Sequence, residues 1–220
     1  KTIPTLKTWN MCSSKYYCNE MFRMNKLKTP KTRPITYSDD AERVASGFKF
    51  PVILKASSGS QTGVGVVIVE SMRSLHPTVQ MLSLLSKNID LIVQEYIKIV
   101  YDVRVIVHNN TILAAMRRDV ISGDARSNAS LGAETSSIEL TELEIKDSLK
   151  AAELVEGELV GVDFLPSKNR EKDQPYILEV NSMPGFGGIE KTTKDKSVTS
   201  DFLSHYLNRD NWTLDKSTET

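Results

Sequence analysis

Hydrophobic residues fall in short bursts along this chain, and the spacing inside each burst predicts its element. Residues 1–12 show no clear period. Ser13 or Ser14 is placed to cap a helix carrying Tyr17, Met21 and Met24 on one face. Pro30 and Pro34 mark an extended linker, and Ser38-Asp39-Asp40 opens a short helix through Val44 and Ala45 that Gly47 stops. Residues 51–55 and 66–70 read as two apolar strands around a polar, glycine-bearing loop, which is a hairpin signal. A helix is expected near 74–86 and a third apolar strand over 91–96. From Asp102 to Val107 the pattern is strand-like, with Val103, Val105 and Val107 alternating against Asp102, Arg104 and Ile106; Asn109-Asn110 turns the chain, and residues 112–116 return.

Residues 119–137 are polar and read as loop. Thr141-Glu142-Leu143-Glu144 fits a capping box, with Ile145, Leu149, Ala152 and Leu159 carrying the helix onward. Residues 160–165 and 176–181 are two strands joined by a charged loop, and 208–220 reads as a frayed tail. Hairpins dominate and long crossover alternation is missing, so the pattern predicts an α+β fold rather than a doubly wound parallel sheet.

Composition narrows the function classes. Of 220 residues, 40% are hydrophobic and 25% charged, as in ordinary globular proteins. Lys+Arg and Asp+Glu are both 28, which argues against sequence-independent nucleic-acid binding, a task needing a basic surplus. Cys12 and Cys18 are too few for a disulfide framework and have no partners at zinc-ligand spacing, so two free thiols in a reducing, cytoplasmic compartment are expected. No apolar run approaches the roughly 20 residues that span a bilayer, and no charged-then-apolar leader opens the chain.

Three segments carry candidate chemistry. Gly59-Ser60-Gln61-Thr62-Gly63-Val64-Gly65 lies between two strands, four residues after Lys55. Glycines let backbone N–H groups approach phosphate oxygens, and a strand-end lysine adds a fixed charge; a plain hairpin loop with a snorkelling lysine is the simpler account. The loop lacks a Walker G-K-[ST] ending and the dinucleotide G-x-G-x-x-G. Asp163 lies in Gly161-Val162-Asp163-Phe164-Leu165, and Glu179 and Asn181 in Ile177-Leu178-Glu179-Val180-Asn181. Period two puts Glu179 and Asn181 on one strand face, and Asp163 joins them if the strands pair. Two carboxylates and an amide oxygen suit Mg²⁺, though the polar outer face of a half-buried strand would look the same. Arg126-Ser127-Asn128, with Arg117 and Arg118 upstream, suits bidentate contacts to phosphate or carboxylate, or is a solvated loop. Asp102 and Arg104 share a strand face and are spaced to pair with each other. His76, His108 and His205 are scattered and read as structural or surface residues.

In this order these residues resemble the ATP-grasp superfamily and, within it, the RimK-type alpha-L-glutamate ligases. The resemblance runs from about Lys15 to Thr193. It is sharpest at Glu179-Val180-Asn181-Ser182-Met183-Pro184-Gly185 with Gly188-Ile189-Glu190-Lys191-Thr192-Thr193, then at 123–128 and at Gln94-Glu95-Tyr96-Ile97-Lys98. It implies an ATP-dependent carboxylate–amine ligase working through an acylphosphate, with a carboxylate substrate such as glutamate or a peptide C-terminus and an amine acceptor. It implies ATP and Mg²⁺, with Mn²⁺ as an alternative ion. Lys15 and Lys55 would contact the ATP phosphates under a flap containing Gly59, Gln61, Gly63 and Gly65. Gln94, Glu95, Tyr96 and Ile97 would form the adenine hinge, with Asp102 near the ribose. Arg126, Ser127 and Asn128 would lie near the phosphates and the reacting carboxylate, with Arg126 and Lys55 assisting catalysis. Asp163, Glu179 and Asn181 would hold the metal.

The expected organisation is two ATP-grasp subdomains with ATP in the cleft between them. Residues 1–36 are a remnant and lead-in helix, 37–96 the small subdomain, 97–207 the large one and 208–220 the tail. The family's amino-terminal domain is expected to be largely absent. The chain departs from the family pattern in three further places: an extra residue near Thr62, a shorter linker after Lys98, and Leu131 where an arginine is usual. Two other readings stand beside the ligase: a non-catalytic nucleotide-binding module, and an α+β interaction domain without nucleotide. A homo-oligomer is compatible with all three.

Overall fold

The computed structural model describes residues 2–58, 66–85, 90–98, 100–119, 134–193 and 197–207. Helix α1 (Leu6–Ser13) and helix α2 (Lys15–Met24) lead into strand β1 (Thr32–Ile35). A 3₁₀ turn at Ser38–Asp40 runs into α3 (Ala41–Ala45), followed by β2 (Val52–Ala56), β3 (Val67–Val69), α4 (Met72–Leu85) and β4 (Leu91–Glu95). The remainder comprises β5 (Tyr101–His108), β6 (Thr111–Asp119), β7 (Thr135–Ser137), α5 (Glu142–Leu154), β8 (Leu159–Leu165), β9 (Tyr176–Asn181), α6 (Gly187–Glu190) and α7 (Val198–Leu207). The strands form two antiparallel sheets, ordered β1-β4-β2-β3 and β7-β6-β5-β8-β9. The expected α+β class is the observed one.

Alternation sets the inside of each sheet. In the first, Val52, Leu54, Val69, Leu91 and Val93 face α3 and α4 and close a core with Ala41, Ala45, Leu75 and Val79. Lys55, opposite Ile92, and Gln94, opposite Ile53, occupy the other face of that sheet. In the second sheet, Val103, Val105, Val107, Val160, Val162 and Phe164 pack with Cys18 and Phe22 of α2 and Ala151 and Ala152 of α5. That leaves Asp102, Arg104 and Asp163 on the opposite face, where Ile106, Met116 and Leu159 meet Ile189 and Val198 from α6 and α7.

Local chemistry explains where elements begin and end. Asn109 and Asn110 both take positive φ (46° and 58°), the type I′ geometry that joins β5 to β6 with matching twist. The capping box is present: Glu144 N–H donates to Thr141 Oγ1 (3.3 Å), and Thr141 N–H donates to Glu144 Oε2 (3.0 Å). Arg170 then holds the same buried carboxylate through two bonds, of 2.8 and 2.7 Å. Thr141→Ala should cost about 1 kcal/mol of stability, read as a lower urea midpoint at unchanged slope; no change in midpoint would remove the cap from the account.

Four expectations are corrected. The proposed linker between Pro30 and Pro34 contains a strand: β1 pairs with β4, and Pro34 is tolerated because β1 is an edge. Helix α2 buries Cys18, Asn19 and Phe22, whereas Tyr17 and Met24 are exposed at 54% and 75%. Helix α5 stops before Leu159: Glu156 turns left-handed (φ 50°), and Gly157 N–H reaches Ala152 O, the Schellman closure. Residues 135–137, read as loop, add edge strand β7. The tail, 208–220, lies outside the described residues.

Candidate functional site

Lys15, Lys55 and Glu179 come from three elements and meet. Ser14 caps α2 by accepting from Tyr17 N–H (3.3 Å), and Lys15 N–H donates to Ser57 O (2.8 Å), just beyond the end of β2. This ties the start of α2 to the strand bearing Lys55. The Lys15 ammonium lies 3.5 Å from Glu179 Oε2 on β9. Lys55 is 9% exposed; burial draws its ammonium down to about 8, with Glu179 pulling back up and Lys15 pushing further down. Lys15, tied to Ser57 by its backbone and to Glu179 by its ammonium, thus links the four-stranded sheet to the five-stranded one, with Lys55 near enough to feel both charges.

Asp163, Glu179 and Asn181 share one face. β8 and β9 pair with Asp163 opposite Glu179 and Gly161 opposite Asn181. The register shifts between Asp163 and Phe164, so Leu178 is an extra residue. Strict alternation would put Ile177 beside Glu179; the bulge turns Ile177 into the core instead and leaves Glu179 and Asn181 facing the site. Gly161 has its own reason to be glycine, since a Cβ there would stand 2.9 Å from Pro184 Cβ. The segment after β9 therefore folds down onto β8.

A buried charge network spans this face. Arg104 grips Asp163 with two bonds, Nε to Oδ1 (2.7 Å) and Nη2 to Oδ2 (2.6 Å). Arg118 grips Asp102 likewise (2.6 and 2.8 Å) and sets Nη2 3.2 Å from Asp163 Oδ2. Asn181 Nδ2 adds a bond to Asp163 Oδ2 (3.3 Å). Burial by itself would raise the Asp163 carboxyl, but the two guanidiniums override it and hold it at about 2. Burial opposes the charge on Arg104 and Arg118 too, yet their carboxylate partners raise both above the ordinary arginine value.

Asp102 and Arg104, spaced to pair with each other, engage other residues: Asp102 bonds Arg118 across β5–β6 and Arg104 bonds Asp163 across β5–β8. Sequence reasoning did not pair Arg104 with Asp163, and it put Arg118 among arginines suited to bidentate contacts without naming Asp102 as its partner. The signal lies in strand register, which places Arg104 opposite Asp163 and Arg118 opposite Asp102.

Gln94 is 4% exposed and donates to Thr32 Oγ1 (2.8 Å), locking β4 to β1 on the face shared with Lys55. Glu95 is exposed and accepts from Lys31 N–H (3.2 Å). Tyr96 and Ile97 are half-buried in the connection that leaves the first sheet for the second. Gly59, Gln61, Gly63, Gly65, Arg126, Ser127, Asn128 and Leu131 lie outside the described residues. The histidines are less scattered than they look: the His108 and His205 rings meet edge-on at 4.8 Å, and Asn109 Nδ2 contacts both. This cluster sits beside the α7 packing.

As donors for a hard cation, Asp163, Glu179 and Asn181 fit in kind, being oxygen-bearing groups on one face. Among the described residues no cluster of three or more His, Cys, Asp or Glu forms a further metal candidate.

Two antiparallel sheets bridged by converging lysine and carboxylate side chains define the ATP-grasp fold, and solved structures agree. The ATP-grasp ligase PsnB complexed with its minimal precursor superposes with TM-score 0.68 at 18% identity, covering 93% of this chain and 64% of that one. D-alanine–D-alanine ligase from Bacillus anthracis, complexed with ATP, gives 0.65 at 18% identity over 94% and 65%. The chain matches the RimK-like ATP-grasp domain over residues 12–200 and belongs to that family. It is 38% identical over 157 residues to a probable alpha-L-glutamate ligase of Marinomonas sp. (strain MWYL1), 70% of this chain and 50% of the relative. It is 36% identical over 170 residues to one of Vibrio atlanticus (strain LGP32), 74% and 53%. The chain therefore spans about half the length of the curated relatives it matches. Among the described residues no helix is long and apolar enough to cross a membrane.

Proposed function

We propose that this chain binds Mg-ATP between its two sheets and joins a carboxylate to an amine, in the manner of a glutamate ligase. The observation that carries the reading is the meeting of Lys15, Lys55 and Glu179 beside Asp163 and Asn181. Cationic and carboxylate groups from opposite sheets are what a metal-bound triphosphate needs. Relatives named probable alpha-L-glutamate ligase support the choice of reaction, and a PsnB structure was solved with Mg and ADP.

In this proposal the substrate carboxylate attacks the γ-phosphate to give an acylphosphate and ADP, and an amine then displaces phosphate. Lys15 and Lys55 hold phosphate oxygens and neutralise charge on the transferring group, a positioning and electrostatic task. Asp163, Glu179 and Asn181 would hold magnesium, or manganese in its place, which would supply positive charge to offset the negative charge of the phosphates. Gln94, Glu95, Tyr96 and Ile97 would line the adenine end, with Asp102 toward the ribose. Arg126, Ser127 and Asn128 would face the reacting carboxylate, and the loop with Gly59, Gln61, Gly63 and Gly65 would cover the phosphates. The small subdomain would centre on 37–96 and the large one on 97–207, and the cytoplasmic location belongs to the same proposal.

The deciding experiment is ADP release with Mg-ATP and glutamate, plus or minus candidate peptide and amino-acid partners. Partner-dependent ADP formation supports the ligase. Nucleotide binding without ADP formation under any pairing supports the non-catalytic module instead.

Lys55 adds a pH signature. Its folded value, about 8, lies below the ordinary 10.5, so the folded chain gives up the proton first. Stability should rise with pH between those values as the cost of burying the ammonium disappears. A bound triphosphate favours the ammonium, so ATP binding above about pH 8 should take up a proton and weaken as pH rises. Calorimetry in buffers of different ionisation enthalpy reads that uptake. Lys55→Ala should abolish it and raise the ATP requirement by roughly ten- to a hundredfold, the worth of a charged hydrogen bond. An unchanged ATP response would remove Lys55 from the phosphate site.

A further inference from the structure

We infer that Arg104 and Arg118 stand in for a metal on Asp163, so that cation binding at Asp163 and anion binding by these arginines are one coupled exchange. The inference rests on the proposed reading of Asp163 as a cation ligand.

An ionised carboxylate offers about four acceptor positions. Asp163 already receives two N–H groups from Arg104, one from Arg118 and one from Asn181. Three of these contacts converge on Oδ2 and one on Oδ1, and the residue is 3% exposed, enclosed by two guanidiniums. A divalent cation reaching this buried carboxylate meets the positive charge of both guanidiniums at close range, and relieving that repulsion requires at least one of them to withdraw.

The two arginines differ in how they tolerate this. Arg118 keeps its two-bond grip on Asp102 whatever happens at Asp163. Among the described residues the hydrogen bonds and ion pairs of Arg104 go to Asp163, and its side chain is 19% exposed. Displacing Arg104 without an incoming anion leaves a mostly buried guanidinium short of acceptors, which is strongly unfavourable. A polyphosphate supplies pairs of oxygen acceptors that the planar guanidinium fork can grip bidentately in exchange. Glu179, the other acid acting on Arg104, is the neighbouring cation ligand in this reading and is drawn into the same exchange. Each ligand thus strengthens the other's binding, and the coupling is reciprocal. The cation alone binds poorly, the nucleotide alone binds poorly, and the pair binds well.

The test is a Mn²⁺ titration followed by electron paramagnetic resonance of the free ion, on wild type and Arg104→Gln, without nucleotide and with a non-hydrolysable ATP analogue. In wild type the analogue should tighten Mn²⁺ binding at least tenfold. Arg104→Gln should bind Mn²⁺ without nucleotide at least tenfold more tightly than wild type, and the analogue should add less. A merely structural arginine, when lost, would not tighten metal binding. Arg104→Lys, which keeps the charge but loses the two-bond fork, should fall between the two and serves if the glutamine variant is poorly folded. Wild type binding Mn²⁺ with the analogue, while neither variant gains affinity without it, overturns the exchange and leaves the ligase reading standing. No Mn²⁺ binding by wild type even with the analogue overturns both.

Discussion

Glu179→Gln should reduce ADP formation by about a hundred- to a thousandfold or more, the scale seen when one preorganised electrostatic contact to a transferring group is lost, while leaving the fold intact. The side chain is 27% exposed and its contact with Lys15 is long, at 3.5 Å. A partly exposed ion pair of that kind contributes little to stability, within about 1 kcal/mol, and glutamine preserves the shape. The electrostatic consequence is much larger than the structural one. Lys15 and Lys55 bring two positive charges to this place, and Glu179 is the group that pulls the Lys55 ammonium back toward its ordinary value. Without it Lys55 falls further below about 8 and enters the site less charged at neutral pH. A hard cation would also lose one of its carboxylate donors. The measurement is steady-state ADP release at saturating Mg²⁺ with melting temperature as the control. Wild-type turnover in a folded variant would take Glu179 out of the site.

How much of this was legible in the sequence depended on whether the information was local. The Asn109-Asn110 turn, the Thr141–Glu144 capping box and the 52–56/67–69 hairpin were readable because each is decided by residues close in sequence. The shared face of Glu179 and Asn181 was readable from strand period, and pairing brought Asp163 to it as expected. Strand β1 was hidden because Pro34 signals a break, and only the edge position beside β4 makes a strand acceptable there. The buried face of α2 was misread because Tyr17 and Met24 are apolar, whereas tertiary packing selected Cys18, Asn19 and Phe22. The bulge at Leu178 could not be seen, since it exists only in the pairing of β9 with β8. The partners of Arg104 and Arg118 were equally out of reach. Which acid an arginine meets across a sheet depends on register, and register becomes known only when strands 16 and 59 residues apart are laid together.

That same network sets the second large effect. Arg118→Met should destabilise the chain by about 3–5 kcal/mol, the cost of stripping one partner from a buried ion pair. Arg118 is 2% exposed and Asp102 4%, so water cannot replace the lost guanidinium. The substitution removes two bonds from Asp102 and one contact from Asp163, leaving Arg104 as the guanidinium on the latter. For a chain of this size the melting temperature should fall on the order of 10 °C. The penalty comes from weakening the support of a buried acid rather than from the missing attraction, and a double-mutant cycle separates the two. Replacing both partners, Asp102→Leu with Arg118→Met, removes the buried acid as well and should recover a good part of the loss, because apolar pairs of similar volume often match buried ion pairs in stability. A single variant losing less than about 1 kcal/mol would mean that Asp102 finds solvent or another donor. The network would then be a looser, wetter arrangement than its 2.6–2.8 Å bonds describe. A double variant no more stable than the single one would instead place the cost in packing around the Arg118 stem. The pair matters beyond stability, because Asp102 fixes Arg118 while Arg104 is left free to follow Asp163, and that asymmetry decides which arginine moves when a charged ligand enters.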